Sequence, residues 1–161
     1  MKSHLGKGTT FELLFPQAAG TAQNVVVAPP VPSSWRGEGT VLIADDEEPI
    51  RKVGATMLGT LGFDAVMAAN GREAVELFRA NPERFSFVLL DLTMPQMDGE
   101  QAFTEMRLIK PDVRVILMSG FNRQESIARF TGRGLANFLQ KPFDMEALRE
   151  AAQTVEEDGD D

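Results

Sequence analysis

Val41-Leu42-Ile43-Ala44-Asp45-Asp46-Glu47-Glu48-Pro49 carries the pattern on which the fold turns. Four apolar residues in a row suit a strand covered on both faces, as in a parallel sheet. The run stops at acids followed by proline, which together make a helix start. Ile50, Val53, Met57 and Leu61 recur at helical spacing, and Gly62 closes that helix. The same strand-then-helix unit repeats outward. Ala65-Val66-Met67 forms a second strand, Asn70 with Glu73 caps a helix lined by Ala74, Val75 and Phe78, and Pro82 ends it. Residues 87–90 make a third strand that delivers Asp91, and Phe103 and Met106 lie on a helix stopping before Pro111. Residues 113–118 make a fourth strand ending at Ser119-Gly120, followed by a helix with Ile127 and Phe130. Residues 137–140 make a fifth, ending at Lys141-Pro142, and Asp144 caps a last helix carrying Leu148, Ala152 and Val155.

Five such units, (βα)5, predict an α/β fold: a parallel sheet with right-handed crossovers and helices on both faces. Sheets of this kind bind their ligands outside the carboxyl ends of the strands. Asp45 and Asp46, Asp91, Ser119 and Lys141 each fall at the carboxyl end of a different strand, so all are expected at one edge. Each residue alone has an ordinary explanation. The first acids suit a helix dipole, Asp91 with Thr93 and Pro95 suits a turn, Ser119-Gly120 a loop, Lys141 a solvated surface and Phe138 a static core. Their convergence is what carries chemistry. Three carboxylates at one edge repel, and a hard divalent cation such as Mg²⁺ relieves that repulsion through oxygen ligands. A lysine and a hydroxyl beside them complete a site for a phosphoryl group in transfer, with one carboxylate as nucleophile.

These residues resemble the response-regulator receiver family. The matching segments are Leu42-Ile43-Ala44-Asp45-Asp46-Glu47, Leu89-Leu90-Asp91-Leu92-Thr93-Met94-Pro95 with Asp98-Gly99, Met118-Ser119-Gly120, and Lys141-Pro142-Phe143. The resemblance implies a flavodoxin-like, doubly wound sheet of strand order 2-1-3-4-5. It implies Asp91 as phosphoacceptor, Asp46 and Asp91 as direct Mg²⁺ ligands with Asp45 acting partly through water, and the Thr93 carbonyl as a further ligand. Lys141 would pair with the phosphoryl oxygens, aimed by a cis bond to Pro142. Ser119 would move to hold the phosphoryl group, and an inward turn of Phe138 would report that movement. Water access near Thr93 and Phe121 would set the phosphoryl lifetime. A phosphatase of the haloacid-dehalogenase kind would carry an aspartate where Thr93 stands, and a degenerate receiver would lack Asp91, Asp46 or Lys141.

The flanks read differently. Leu5-Gly6-Lys7-Gly8-Thr9-Thr10-Phe11-Glu12-Leu13-Leu14-Phe15-Pro16 resembles the final glycine box and last strand of a histidine-kinase ATP-binding domain. Residues 1–16 are thus expected as a kinase remnant, 17–39 as a Pro-, Gly- and Ser-bearing linker, 40–155 as the receiver and 156–161 as an acidic tail. That order is the order of a hybrid sensor histidine kinase, which implies a phosphohistidine of the parent kinase, or a histidine phosphotransfer protein, as donor. No kinase activity is expected of these residues alone. His4 is read as a surface residue.

The 161 residues carry a formal charge of −8 and no cysteine. So acidic a chain is unsuited to nucleic acid or an anionic membrane surface, and disulfides and thiolate sites are excluded. With no apolar window near the ~20 residues of a membrane span and no leader, a cytoplasmic setting is expected, any membrane anchor belonging to the parent protein.

Overall fold

A computed structural model describes residues 2–4, 8–10, 34–120, 130 and 134–157. The chain divides into two compact units, residues 1–33 and 34–161. In the first, Lys2–His4 pairs antiparallel with Gly8–Thr10, in the register Lys2 to Thr10 and His4 to Gly8. The apolar run to Phe15, the linker residues 17–33, Phe121, Ile127 and the last four acidic-tail residues lie outside the described residues.

The second unit holds strands β1 (Thr40–Ala44), β2 (Asp64–Ala68), β3 (Phe85–Asp91), β4 (Val115–Ser119) and β5 (Asn137–Gln140). Its described helices are α1 (Glu48–Leu61), α2 (Gly71–Ala80), α3 (Gly99–Ile109) and α4 (Met145–Glu157). The strands form one parallel sheet in the order β2-β1-β3-β4-β5, the flavodoxin-like order expected. Because side chains alternate across a strand, neighbouring residues feed different cores. Leu42, Val88, Leu90, Val115 and Leu117 pack with Ala74 and Phe78 of α2 and Phe103 and Met106 of α3. Val41, Ile43, Phe87, Leu89, Ile116 and Met118 pack with Leu58 and Leu61 of α1 and Leu148, Ala152 and Val155 of α4. This is why β1 and β3 read as unbroken apolar runs.

Local chemistry sets the helix ends. Asn70 accepts a hydrogen bond from the Glu73 amide at 2.9 Å, Asp98 from that of Gln101 at 2.8 Å, and Asp144 from that of Ala147 at 2.8 Å. Gly62 ends α1 in the left-handed conformation, φ 106°.

Three details differ from expectation. On α1 the buried residues are Gly54, Leu58 and Leu61, while Val53 is 53% exposed. The apolar stripe is turned by one residue because Gly54 faces the sheet, where a Cβ would stand 2.4 Å from Ile43 Cδ1. Val113 is buried but precedes β4, its amide closing the turn after α3 onto the Lys110 carbonyl. And residues 34–39, grouped with the linker on composition, pack on the domain. The Trp35 ring lies 6.2 Å from that of Phe63, which meets Phe87 edge-on at 5.3 Å. The Gly37 amide donates to the Leu61 carbonyl at 3.0 Å and the Asp64 amide to the Gly39 carbonyl at 2.9 Å. Trp35→Ala removes this apolar anchor and is expected to lower unfolding stability by about 1–2 kcal/mol. Urea denaturation checks it, and an unchanged midpoint would show that the segment does not brace the fold.

Candidate functional site

The strand register places the polar residues level. Ala44 is opposite Leu90, Asp91 opposite Met118, and Ser119 opposite Gln140. The next residues along β1 and β5 are Asp45 and Lys141, so one step beyond the ladder brings four strands' functional groups to a single edge.

Asp45 is fully buried, Asp91 is 4% exposed, and Asp46 is exposed. The Lys141 ammonium bridges the two buried acids, 2.5 Å from Asp45 Oδ2 and 3.0 Å from Asp91 Oδ1. Asp45 Oδ1 accepts from the Glu47 amide at 2.9 Å, so both oxygens of Asp45 are engaged by the protein. Carboxylate oxygens of Asp45, Asp46 and Asp91 lie within 4.8 Å of one another, the one such cluster of potential metal ligands among the described residues. Lys141 is fixed from behind: its amide donates to the Ser119 carbonyl at 2.8 Å, and its bond to Pro142 is cis, as expected. Ser119 is buried at the end of β4. Thr93 is exposed and lines the same cleft, with Asp46, Asp91, Gly120, Lys141 and Phe143.

Burial pushes the Asp91 carboxyl up to about 6; the Lys141 hydrogen bond and charge oppose that, and the charges of Asp45 and Asp46 add to it. For Lys141, burial acts to lower the pKa, but its hydrogen bonds to Asp45 and Asp91 and their charges outweigh it and hold the ammonium above its ordinary range. Three carboxylates face one lysine. The donor set is all oxygen, partly open to solvent through Asp46, and short of positive charge, which fits a hard cation such as Mg²⁺ that keeps some of its waters.

The loop after β3 is held tightly. The Leu92 amide donates to the Met118 carbonyl at 2.9 Å and the Gly99 amide to the Leu92 carbonyl at 3.0 Å. A Cβ on Gly99 would stand 2.3 Å from the Asp91 carbonyl oxygen and 2.8 Å from Leu92 Cα. Only glycine therefore lets α3 begin against the phosphoacceptor candidate's own backbone. Phe138 is 6% exposed, its ring already in the core on the α2–α3 side of the sheet. A further contact has no counterpart among the sequence motifs: the Arg51 guanidinium donates to the Asp45 carbonyl at 2.5 Å. Its signal in the sequence is a cation in the first turns of a helix, where the dipole disfavours it. Among the described residues no helix is long and apolar enough to cross a membrane.

Fold and site together define a doubly wound α/β domain with an acidic, lysine-bridged crevice. The family model described as the response regulator receiver domain matches residues 41–153, and the chain belongs to that family, a component of two-component systems. Among curated proteins it is similar to the sensor kinase CckA of Brucella abortus, 32% identical across 96% of this chain and 17% of that protein. It is also similar to sporulation initiation phosphotransferase F of Bacillus subtilis, 32% identical across 70% of this chain and 90% of that one. The chain thus spans about a sixth of the sensor kinase it matches. Among solved structures, a chain of the CheX-CheY-BeF3-Mg²⁺ complex of Borrelia burgdorferi superposes with a TM-score of 0.70 at 28% identity, over 73% of this chain and 88% of that one.

Proposed function

We propose that this chain is the receiver of a hybrid sensor histidine kinase, accepting a phosphoryl group from phosphohistidine onto Asp91 in a Mg²⁺-dependent reaction in the cytoplasm. The observation that carries this is the Lys141 ammonium bridging Asp45 and Asp91 beside the three-carboxylate cluster. The hybrid-kinase setting is supported by the similarity to a sensor kinase, which runs over nearly the whole chain rather than the receiver alone. Residues 2–16, with their likeness to a kinase end, support it as well.

In this account a carboxylate oxygen of Asp91 attacks the phosphorus. The new O–P bond forms as the N–P bond of the phosphohistidine breaks, and the bonding pair returns to the imidazole nitrogen. Asp46, Asp91 and the Thr93 carbonyl would hold Mg²⁺ directly. Asp45, its oxygens already engaged by Lys141 and the Glu47 amide, would act through water. When bound, the cation neutralises carboxylate charge and draws in the phosphoryl oxygens. Lys141 stands where it can leave Asp45 for a phosphoryl oxygen, and the Ser119 hydroxyl supplies a directional hydrogen bond. Phe138 is already turned in, so phosphorylation is expected to hold its ring there and stabilise one packing of β5 and α4.

The cleft has an apolar rim beside Asp91, formed by Pro49, Ile50, Val53 and Phe143. We assign it to the protein donor, since a phosphohistidine must arrive on a folded surface. Val53→Gln is then expected to slow transfer from a phosphorylated histidine phosphotransfer domain about 5-fold, the scale of one lost apolar contact at roughly 1 kcal/mol. Labelling by acetyl phosphate is expected to keep its rate. Equal transfer by the two proteins would remove the rim from the donor interface, and no transfer to the wild type from any histidine donor would remove the relay.

A further inference from the structure

Arg51 is out of place on simple grounds. It sits in the first turns of α1, where the positive end of the helix dipole disfavours a cation. Its neighbour Lys52 forms an ordinary exposed pair with Glu48 one turn back, at 2.6 Å. Arg51 instead is half-buried and turns its guanidinium to the Asp45 backbone carbonyl at 2.5 Å.

That carbonyl matters because of what shares its plane. The Asp45 carbonyl and the Asp46 amide belong to one rigid peptide unit, so fixing the first fixes the direction in which the Asp46 Cα is carried. The remaining polar atoms of Asp45 are held as well: its amide by the Ala68 carbonyl at 3.2 Å, Oδ1 by the Glu47 amide and Oδ2 by Lys141. Asp46, by contrast, is exposed. Only three residues, 45–47, join β1 to α1, and the Arg51 contact ties the first of them back to the helix.

We infer that Arg51 is a positioning residue for the acidic cluster: by holding the Asp45 carbonyl it sets the aim of the Asp46 carboxylate toward a divalent cation. The role rests on the Mg²⁺-binding phosphoacceptor function proposed above. Arginine suits it because its planar fork is rigid and aims more than one N–H.

The sign of the effect separates positioning from simple electrostatics. Removing a cation near three carboxylates would by charge alone strengthen Mg²⁺ binding. Loss of positioning weakens it. The experiment is a Mg²⁺ titration followed by backbone amide chemical shifts, on wild type, Arg51→Met, Arg51→Lys and Lys52→Met. Melting curves establish that each is folded, and Arg51→Lys carries the comparison if Arg51→Met does not fold. Arg51→Met is expected to weaken Mg²⁺ about 10-fold, the scale seen when an outer-shell partner of a ligand is lost. It is also expected to shift the metal-free amides of Asp46 and Glu47. Arg51→Lys is expected to recover part of the affinity, and Lys52→Met to bind within about 2-fold of the wild type or more tightly. Arg51 variants that bind Mg²⁺ as tightly as the wild type, or more tightly, would overturn the positioning role alone. A folded wild type that binds no Mg²⁺ would overturn both this role and the phosphoacceptor function.

Discussion

Asp91→Asn is expected to make the metal-free protein more stable at pH 7 while abolishing phosphoryl acceptance. The Asp91 carboxyl is raised from 3.8 to about 6, with burial the largest cause. The folded protein therefore holds that proton more tightly than the unfolded chain between about pH 4 and pH 6. Stability contributed by Asp91 accordingly falls as pH rises through that window and stays lost above it. Two pH units correspond to about 3 kcal/mol; allowing for solvent and relaxation around a crevice that opens through Asp46, about 1–2 kcal/mol is expected. Asparagine is neutral throughout, so the variant's advantage should be present at pH 7 and shrink toward pH 4. Chemical denaturation in chelator at the two pH values checks this. Millimolar Mg²⁺ should narrow or reverse the order, because ligation favours the wild-type folded state. A metal-free wild type more stable than the variant at pH 7 would mean that the lysine outweighs the repulsion and the acids carry no stored strain.

The opposite result is expected at Lys141. Lys141→Met leaves Asp45 and Asp91 buried without their shared counter-charge, and breaking a buried pair in this way costs about 3 kcal/mol or more. The Lys141 pKa is raised, so its contribution is complete below its ordinary value of 10.5 and is lost only as pH climbs past its folded value. All of it is therefore present at pH 7. The penalty should shrink as pH falls from 7 toward about 6, because without the opposing lysine Asp91 takes up its proton more readily than in the wild type, and Mg²⁺ should restore part of it. The double variant Asp91→Asn/Lys141→Met should lose less than the sum of the two single effects, since the two groups share one interaction. Denaturation midpoints of the four proteins at pH 7 and pH 5 measure it. Simple additivity at pH 7 would show that the bridge is not the source of the effect.

The features of this protein that were legible in its sequence share one physical origin. β1 and β3 are buried on both faces, so they show as unbroken apolar runs, and the polar residue after each run is by construction at the sheet edge. That is how Asp45, Asp46, Asp91, Ser119 and Lys141 could be placed together, and the register bears out the placement. The features that were not legible have no hydropathy signal. Gly54, rather than Val53, faces the sheet because a missing side chain lets α1 approach Ile43, and a glycine looks neither apolar nor polar in a periodicity count. Trp35 lies in a stretch whose proline, glycine and serine content reads as tether, yet its indole packs against Phe63 and backbone hydrogen bonds at Gly37 and Gly39 hold the segment to the domain. The Arg51 contact runs to a backbone carbonyl, an acceptor every residue carries and no side-chain motif records.

Whether Asp91 takes a phosphoryl group with the help of a divalent cation is tested most directly by intact-mass spectrometry. The wild type and Asp91→Asn are each incubated with acetyl phosphate, with and without Mg²⁺. A gain of one phosphoryl group that needs Mg²⁺ and is lost in the folded variant is the expected result. A folded wild type that gains nothing, or a variant that gains as much, would contradict it.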